Sequence, residues 1–220
     1  MDSLLIHLNP GSYPGSGTVW NDAQGNFNFN LVGGVSFSNN EMVFNGSTGY
    51  AETVTSYPSI PKNTDPISLE MYVNLGNFVF PFLTSKISPS NGNLCLAIDS
   101  TQLGFVSDGG GGNVNYSTGA YSGGNAANTY IHLTATYNGD VIKLYKNSEL
   151  KHTSATGRNM GANTAPLRLM CLDPSNSPYF WPVNGKLKVF RLYAKALSEE
   201  EVIQNFDTLR SKDTEILISS

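Results

Sequence analysis

Residues 67–75 read Ile-Ser-Leu-Glu-Met-Tyr-Val-Asn-Leu, so Ile67, Leu69, Met71, Val73 and Leu75 alternate with Ser68, Glu70, Tyr72 and Asn74. Successive side chains of an extended strand point to opposite faces, so this alternation predicts a strand with one face in a core and the other toward water. On that reading an aspartate at Leu69 stops folding and one at Ser68 is tolerated. The pattern recurs where Ile131, Leu133, Ala135 and Tyr137 alternate with Tyr130, His132, Thr134 and Thr136, making Leu133 another core position. Asn138-Gly139 follows. Both residue types tolerate positive φ, which predicts a tight hairpin turn. The chain returns along Val141 to Tyr145 and turns again at Asn147-Ser148.

Working outward, Leu4 to Leu8 is a short apolar strand and Ser12 to Gly17 a loop rich in Gly and Pro. Met42 to Phe44 and Tyr50 to Thr53 flank the turn Asn45-Gly46-Ser47. Phe78 to Lys86 contains Pro81, which suits an edge or a bulge. Leu94 to Ile98 and Leu103 to Ser107 read as a hairpin, Val114 to Ser117 as one short strand, and Leu167 to Leu172 and Leu187 to Leu192 as late strands. Ser198 opens the single convincing helix, expected to run to about Leu209: Ser198 and Glu201 have capping-box spacing, and Val202, Ile203, Phe206 and Leu209 give it one apolar side. Many short strands and one short late helix predict an all-β, two-sheet antiparallel sandwich. With no repeat and no linker, residues 1–220 are expected to form one domain: a leading segment 1–40, a core of about 41–209 and a tail 210–220. In that tail Arg210 to Asp213 reads as a polar break. Ile216, Leu217 and Ile218 then read as a β-prone triplet, pairing either beside Leu4 to Leu8 or with a neighbouring subunit.

Only 14% of the 220 residues are charged, and the formal net charge is −4 with 13 Lys and Arg scattered singly. That balance argues against nucleic acid as a partner, and no window reaches the ~18 apolar residues of a membrane span. The first residues lack the basic and apolar regions of a secretory leader, so if the protein works outside a cell it is expected to get there by another route, such as release with a particle. Cys95 and Cys171 read as buried thiols. His7, His132 and His152 have no metal-ligand spacing, and His132, on the polar face of its strand, is expected to be solvated or hydrogen-bonded in preference to ligating a metal. No cofactor is expected. Calcium at Asp108, Asp140 or Asp173 would lack a D-x-D-x-D loop, and turn formation is the preferred reading of these residues.

Four segments carry a family resemblance. Phe44-Asn45-Gly46-Ser47-Thr48-Gly49-Tyr50 has the form F-x-G-x-x-x-Y, and Ile67 to Val73 matches a characteristic strand with Tyr72 at a position usually held by Trp. Tyr130 to Leu150 matches a hairpin, and Gly185 to Val202 a closing strand that runs into a helix. Together they resemble the laminin G-like branch of the concanavalin A-like lectin/glucanase superfamily, and the resemblance implies a jelly-roll sandwich. The leading residues Leu5 to Asn9 and Ser12-Tyr13-Pro14-Gly15-Ser16-Gly17-Thr18-Val19-Trp20-Asn21-Asp22 resemble an N-terminal motif attached to this domain in bacteriophage and large-virus structural proteins. That motif has Asp where this chain has Asn9, and Ala23-Gln24 also depart from it.

The resemblance implies three readings, in order. First comes a non-enzymatic virion protein of a capsid surface, fibre or appendage, located in the particle and partnered by its own copies or other virion proteins. Second is a lectin or adhesion module that binds surface glycans. Last is a glycoside-active enzyme. Glucanases of this fold share an E-x-D-x-E strand whose paired carboxylates do the chemistry, and no such string is present, so no catalytic residue is assigned. Tyr116, Tyr121, Tyr179 and Trp181 are candidates for stacking on sugar rings or, preferentially, for an interface. Ile216, Leu217 and Ile218 are the remaining interface candidates.

Overall fold

The computed structural model describes residues 3–54, 64–77, 83–87, 92–98, 102–108, 114–120, 127–156, 165–172 and 181–218. In chain order the strands begin with β1 (Leu4–Leu8), β2 (Val19–Trp20), β3 (Phe29–Val32), β4 (Val35–Ser38), β5 (Glu41–Asn45) and β6 (Tyr50–Thr53). They continue with β7 (Ile67–Leu75), β8 (Thr84–Ile87), β9 (Gly92–Asn93), β10 (Cys95–Ile98), β11 (Gln102–Asp108) and β12 (Val114–Ala120). The last are β13 (Tyr130–Tyr137), β14 (Ile142–Lys146), β15 (Glu149–Thr153), β16 (Arg168–Leu169) and β17 (Asn184–Tyr193), followed by helix α1 (Glu199–Ile218).

One layer is an antiparallel sheet ordered β15-β14-β13-β7-β17-β5-β4, with β1 also paired to β17. The other contains the ladder β2-β3-β6-β16-β8-β9 and the ladder β10-β11-β12. The Leu83 N–H, which donates to the Leu96 carbonyl at 2.8 Å, ties these two ladders together. Between the layers lies one apolar core that includes Ile67, Leu69, Met71, Val73 and Leu75 of β7 and Ile131, Leu133 and Ala135 of β13. Phe29 and Phe190 meet edge-on across it at 6.2 Å. Burying each such side chain contributes about 1.5–3 kcal/mol. The chain forms the two-layer, all-β sandwich expected from the alternation, in the jelly-roll form that the family resemblance implies.

The turn after Phe44 passes the chain from one layer to the other, since β5 and β6 lie in different sheets. Asn45 builds it: its Oδ1 accepts the N–H groups of Ser47, Thr48 and Gly49 at 3.0, 3.0 and 2.9 Å. Of the Asn138-Gly139 pair only Gly139 has positive φ (101°), while the Asn138 side chain accepts the N–H groups of Asp140 and Val141. The two-residue left-handed turn sits instead at Asn147-Ser148, where both φ are positive and Lys146 pairs with Glu149.

Two expectations need correction. β7 is buried on both faces: Ser68 and Glu70 are as inaccessible as Met71, because α1 lies against the side of the sheet opposite the core. α1 also runs to Ile218, so Ile216, Leu217 and Ile218 form its last turn and no extended tail begins at Arg210. Polar residues on an exposed helix face do not break a helix, and this stretch holds neither Gly nor Pro. The capping box closes as expected: Ser198 N–H donates to Glu201 Oε2 at 3.0 Å, and Glu201 N–H to Ser198 Oγ at 3.3 Å.

Candidate functional site

The outer side of the large sheet carries the polar residues of β7, β13 and β17, and α1 covers them. Ser68 Oγ donates to the Lys195 carbonyl and accepts the Leu197 N–H, both at 2.8 Å, pinning the segment that leads into the helix. Tyr145, Tyr193, Leu197 and Val202 pack one end of the contact, and Tyr72, Val189 and Leu209 the other.

Between these clusters lies a fully buried carboxylate, Glu70. His132 Nε2 sits 2.6 Å from its Oε1. Oε2 accepts from Arg191 Nη1 at 3.1 Å, Tyr193 Oη at 3.0 Å and Asn205 Nδ2 at 3.2 Å. Phe206 stacks on the His132 ring at 5.6 Å. Burial alone would raise the Glu70 pKa, but the His132 hydrogen bond and charge and the Arg191 guanidinium outweigh it and hold the carboxyl below its ordinary value. Burial, with the Glu70 charge beside it, pushes the Tyr193 hydroxyl well above its ordinary range, so it stays a donor. Of the two states expected for His132, solvated or hydrogen-bonded, it takes the second, paired with Glu70: charges this deep persist only when paired and hydrogen-bonded. This carboxylate is enclosed by donors, an arrangement that locks sheet to helix.

Beside the network a cleft of about 300 Å³ opens, lined by His7, Asn9, Tyr72, Lys188, Arg191 and Lys212 among others. Its walls come from β1 and the loop after it, from β7 and β17, and from α1. The leading segment is therefore part of the site. Its shape is set by Asp22, whose carboxylate accepts the N–H groups of His7, Gln24, Asn26 and Phe27 at 2.8–3.1 Å. The Trp20 indole donates to the Asn9 carbonyl at 2.9 Å and fixes the loop from the core side. On the cleft wall, Asn9 Nδ2 lies 3.3 Å from His7 Nε2. Burial first, then the Arg191 charge, holds the His7 pKa below 6.5, with Lys212 acting in the same direction and Glu70 and Asp22 opposing. Lys188 Nζ rests 4.2 Å above the Tyr130 ring and 3.5 Å from Glu41 Oε1.

Among the residues singled out from sequence, Trp181 is 45% exposed next to the bridge between Cys171 and Pro182. Tyr116 lies on β12, opposite Val106. Tyr121, Tyr179 and Asp173 fall outside the described residues. Asp108 ends β11 and Asp140 is an exposed turn residue; among the described residues no group of three His, Cys, Asp or Glu could hold a metal. Both cysteines are buried, and neither is in a disulfide. Sequence reading missed Asn9, Lys188, Arg191, Asn205 and Lys212. Asn205 did leave a signal, because it shares the 3–4 spacing of Val202 and Leu209, the stripe that must face the sheet.

Comparison with known proteins places this geometry. The family model described as "Concanavalin A-like lectin/glucanases superfamily" matches residues 45–203. A search of curated protein sequences found no match. Among solved structures, the chain is similar to botulinum neurotoxin type C in a study of its cell entry through two ganglioside molecules (TM-score 0.72, 16% identity, 94% of this chain and 51% of that one). It is also similar to the binding domain of Paraclostridial Mosquitocidal Protein 1 (TM-score 0.72, 14% identity, 94% and 52%). Domain 4 of AbnA, an extracellular arabinanase from Geobacillus stearothermophilus in complex with arabinotriose, is matched over 92% of this chain and 98% of that one (TM-score 0.68, 14% identity). The chain spans about half the length of the toxin structures it matches. Matched over most of its length, this chain belongs to the concanavalin A-like lectin/glucanase superfamily.

Proposed function

We propose that this chain is a non-catalytic saccharide-binding module displayed on a virion surface or appendage, and that the cleft between β1, β17 and α1 receives the sugar. The observation that carries the reading is the cleft itself. At about 300 Å³ it has the volume of a small ligand site, with polar groups from separate elements converging on it. Trp181, 45% exposed, is a second surface on which a sugar face can stack. The fold supports this class of ligand, since two of its structural neighbours are described with gangliosides and with arabinotriose.

A hydrolytic reading has less behind it. Glycoside cleavage by a retaining mechanism needs two carboxyls about 5 Å apart and open to substrate, whereas Glu70 is wholly buried and engaged by four side chains. The virion setting is supported by the phage-like leading residues, which fold into the cleft wall through Asn9 and Trp20. Copies displayed together on a particle would turn weak single-site binding into avidity.

A glycan array probed with the purified chain, immobilised at high density, tests the saccharide reading. Retention on defined glycans that is lost on changing cleft residues is the expected result. Uniform background on every glycan would overturn it. Mass spectrometry of purified particles tests the setting, with this chain at stoichiometric abundance as the expected outcome.

A further inference from the structure

From the charge of the cleft, we infer that its ligand is an acidic saccharide whose carboxylate or sulfate is held by Arg191, Lys188 and Lys212. The inference rests on the cleft being the saccharide site. Among the described residues Lys188, Arg191 and Lys212 line the cleft and no Asp or Glu does. Among the described residues, the carboxylates paired with these cations stand behind the wall: Glu70 on Arg191, and Glu41 on Lys188 and Lys186. Both are buried, so neither is placed to meet an incoming ligand. Lys212, exposed on α1, adds a third positive charge to the lining.

Arg191 spends Nη1 on Glu70. A guanidinium has five donors in a planar fork, so one carboxylate does not exhaust it, and a fork of that kind suits a planar carboxylate or a sulfate. The Glu70 network also fixes the fork in place, which removes the ordering cost a free arginine would meet on binding. Asn9 brings an uncharged amide to the wall, 3.3 Å from His7 Nε2.

His7 makes the site sensitive to pH. It faces Arg191 and Glu70 on the sheet, Asp22 in the loop between β2 and β3 and Lys212 on the helix, with Asn9 alongside. It is uncharged at neutral pH in the empty cleft, because burial and the neighbouring cations disfavour its protonation. A bound anion stabilises the imidazolium. By linkage, binding therefore raises the His7 pKa, and affinity increases as pH falls through it.

The test uses the full chain titrated with sodium glucuronate, galactose and sodium sulfate at pH 5.5 and 7.5, followed by NMR of the His7 ring and by calorimetry. Glucuronate should bind, galactose should bind at least tenfold more weakly, and the His7 pKa should rise by roughly one unit with glucuronate alone. Lys212→Glu replaces an attraction by a repulsion at an exposed position where folding is unaffected, and should weaken glucuronate roughly tenfold. Asn9→Asp should weaken it comparably and raise the His7 pKa without ligand. Equal binding of glucuronate and galactose would overturn the acidic class and leave the saccharide reading standing. Sulfate binding as tightly as glucuronate would reduce the cleft to a bare ion site and overturn it. Glucuronate binding that neither variant changes would place the ligand elsewhere and overturn it as well. No binding of any saccharide here or on the array would remove both readings.

Discussion

Replacing Glu70 by Gln keeps the shape of the side chain and removes its charge. Oε1 faces His132, while Oε2 faces Arg191, Tyr193 and Asn205. A glutamine must turn its NH2 toward one of these sides. Toward Arg191 it sets donor against donor. Toward His132 it forces Nε2 to accept, which requires a neutral ring with its one proton on Nδ1, a buried atom with no hydrogen-bond partner. Either orientation orphans a buried donor, at about 1–3 kcal/mol, and leaves Arg191 without its counter-charge. Breaking a buried ion pair from one side costs about 3–5 kcal/mol in total. Urea unfolding followed by far-UV circular dichroism at pH 7 measures it, the expected result being a lower midpoint with an unchanged m-value. A loss below about 1 kcal/mol would refute the reasoning, because it would mean that Arg191 and His132 find water or other acceptors with ease.

Three further outcomes are expected. Because the folded-state pKa of Glu70 is depressed, the stability it contributes is complete above its ordinary pKa of 4.5 and is lost as pH falls below that value, so wild-type melting temperatures should drop there and those of Glu70→Gln should drop less. Ser68→Asp should abolish soluble expression as fully as Leu69→Asp, since Ser68 is completely buried and holds Lys195 and Leu197; soluble Ser68→Asp protein would show that the helix segment lifts off the sheet. Asp22→Ala strips the acceptor from four N–H groups and should cost about 3 kcal/mol or more by chemical denaturation, with Asp22→Asn recovering part of the loss.

The core face of the sandwich was legible because alternation at β7 and β13 is a direct record of burial. The outer face was not. Ser68, Glu70, His132 and Thr134 are polar, and polarity at every second position is also the pattern of a solvated strand. What separates the two cases is the docking position of α1, a contact between residues far apart in sequence. Its stripe of Val202, Asn205 and Leu209 says that the helix must pack, but not against which face. The same limit hid the cleft, which joins β1, β17 and the last turns of α1 from both ends of the sequence. At residues 216–218 local β-propensity lost to the helix already running through Arg210, since extending a helix is easier than stopping one without a breaker.

β17 pairs with β7 along one side, and along the other with β5 at Asn184–Leu187 and then with β1 at Phe190–Tyr193. During synthesis the ribosome must therefore deliver β17, long after β1, β5 and β7, before the middle of the large sheet exists. Until then β1, β5 and β7 wait with an open hydrogen-bonding edge, and the buried face of β7 waits without α1. Pairings of such long sequence separation are slow to find, and unpaired edges invite association between nascent chains. Expression at lower temperature or with added chaperone should therefore improve the soluble yield, and truncations ending before Tyr193 should aggregate instead of forming a smaller sandwich.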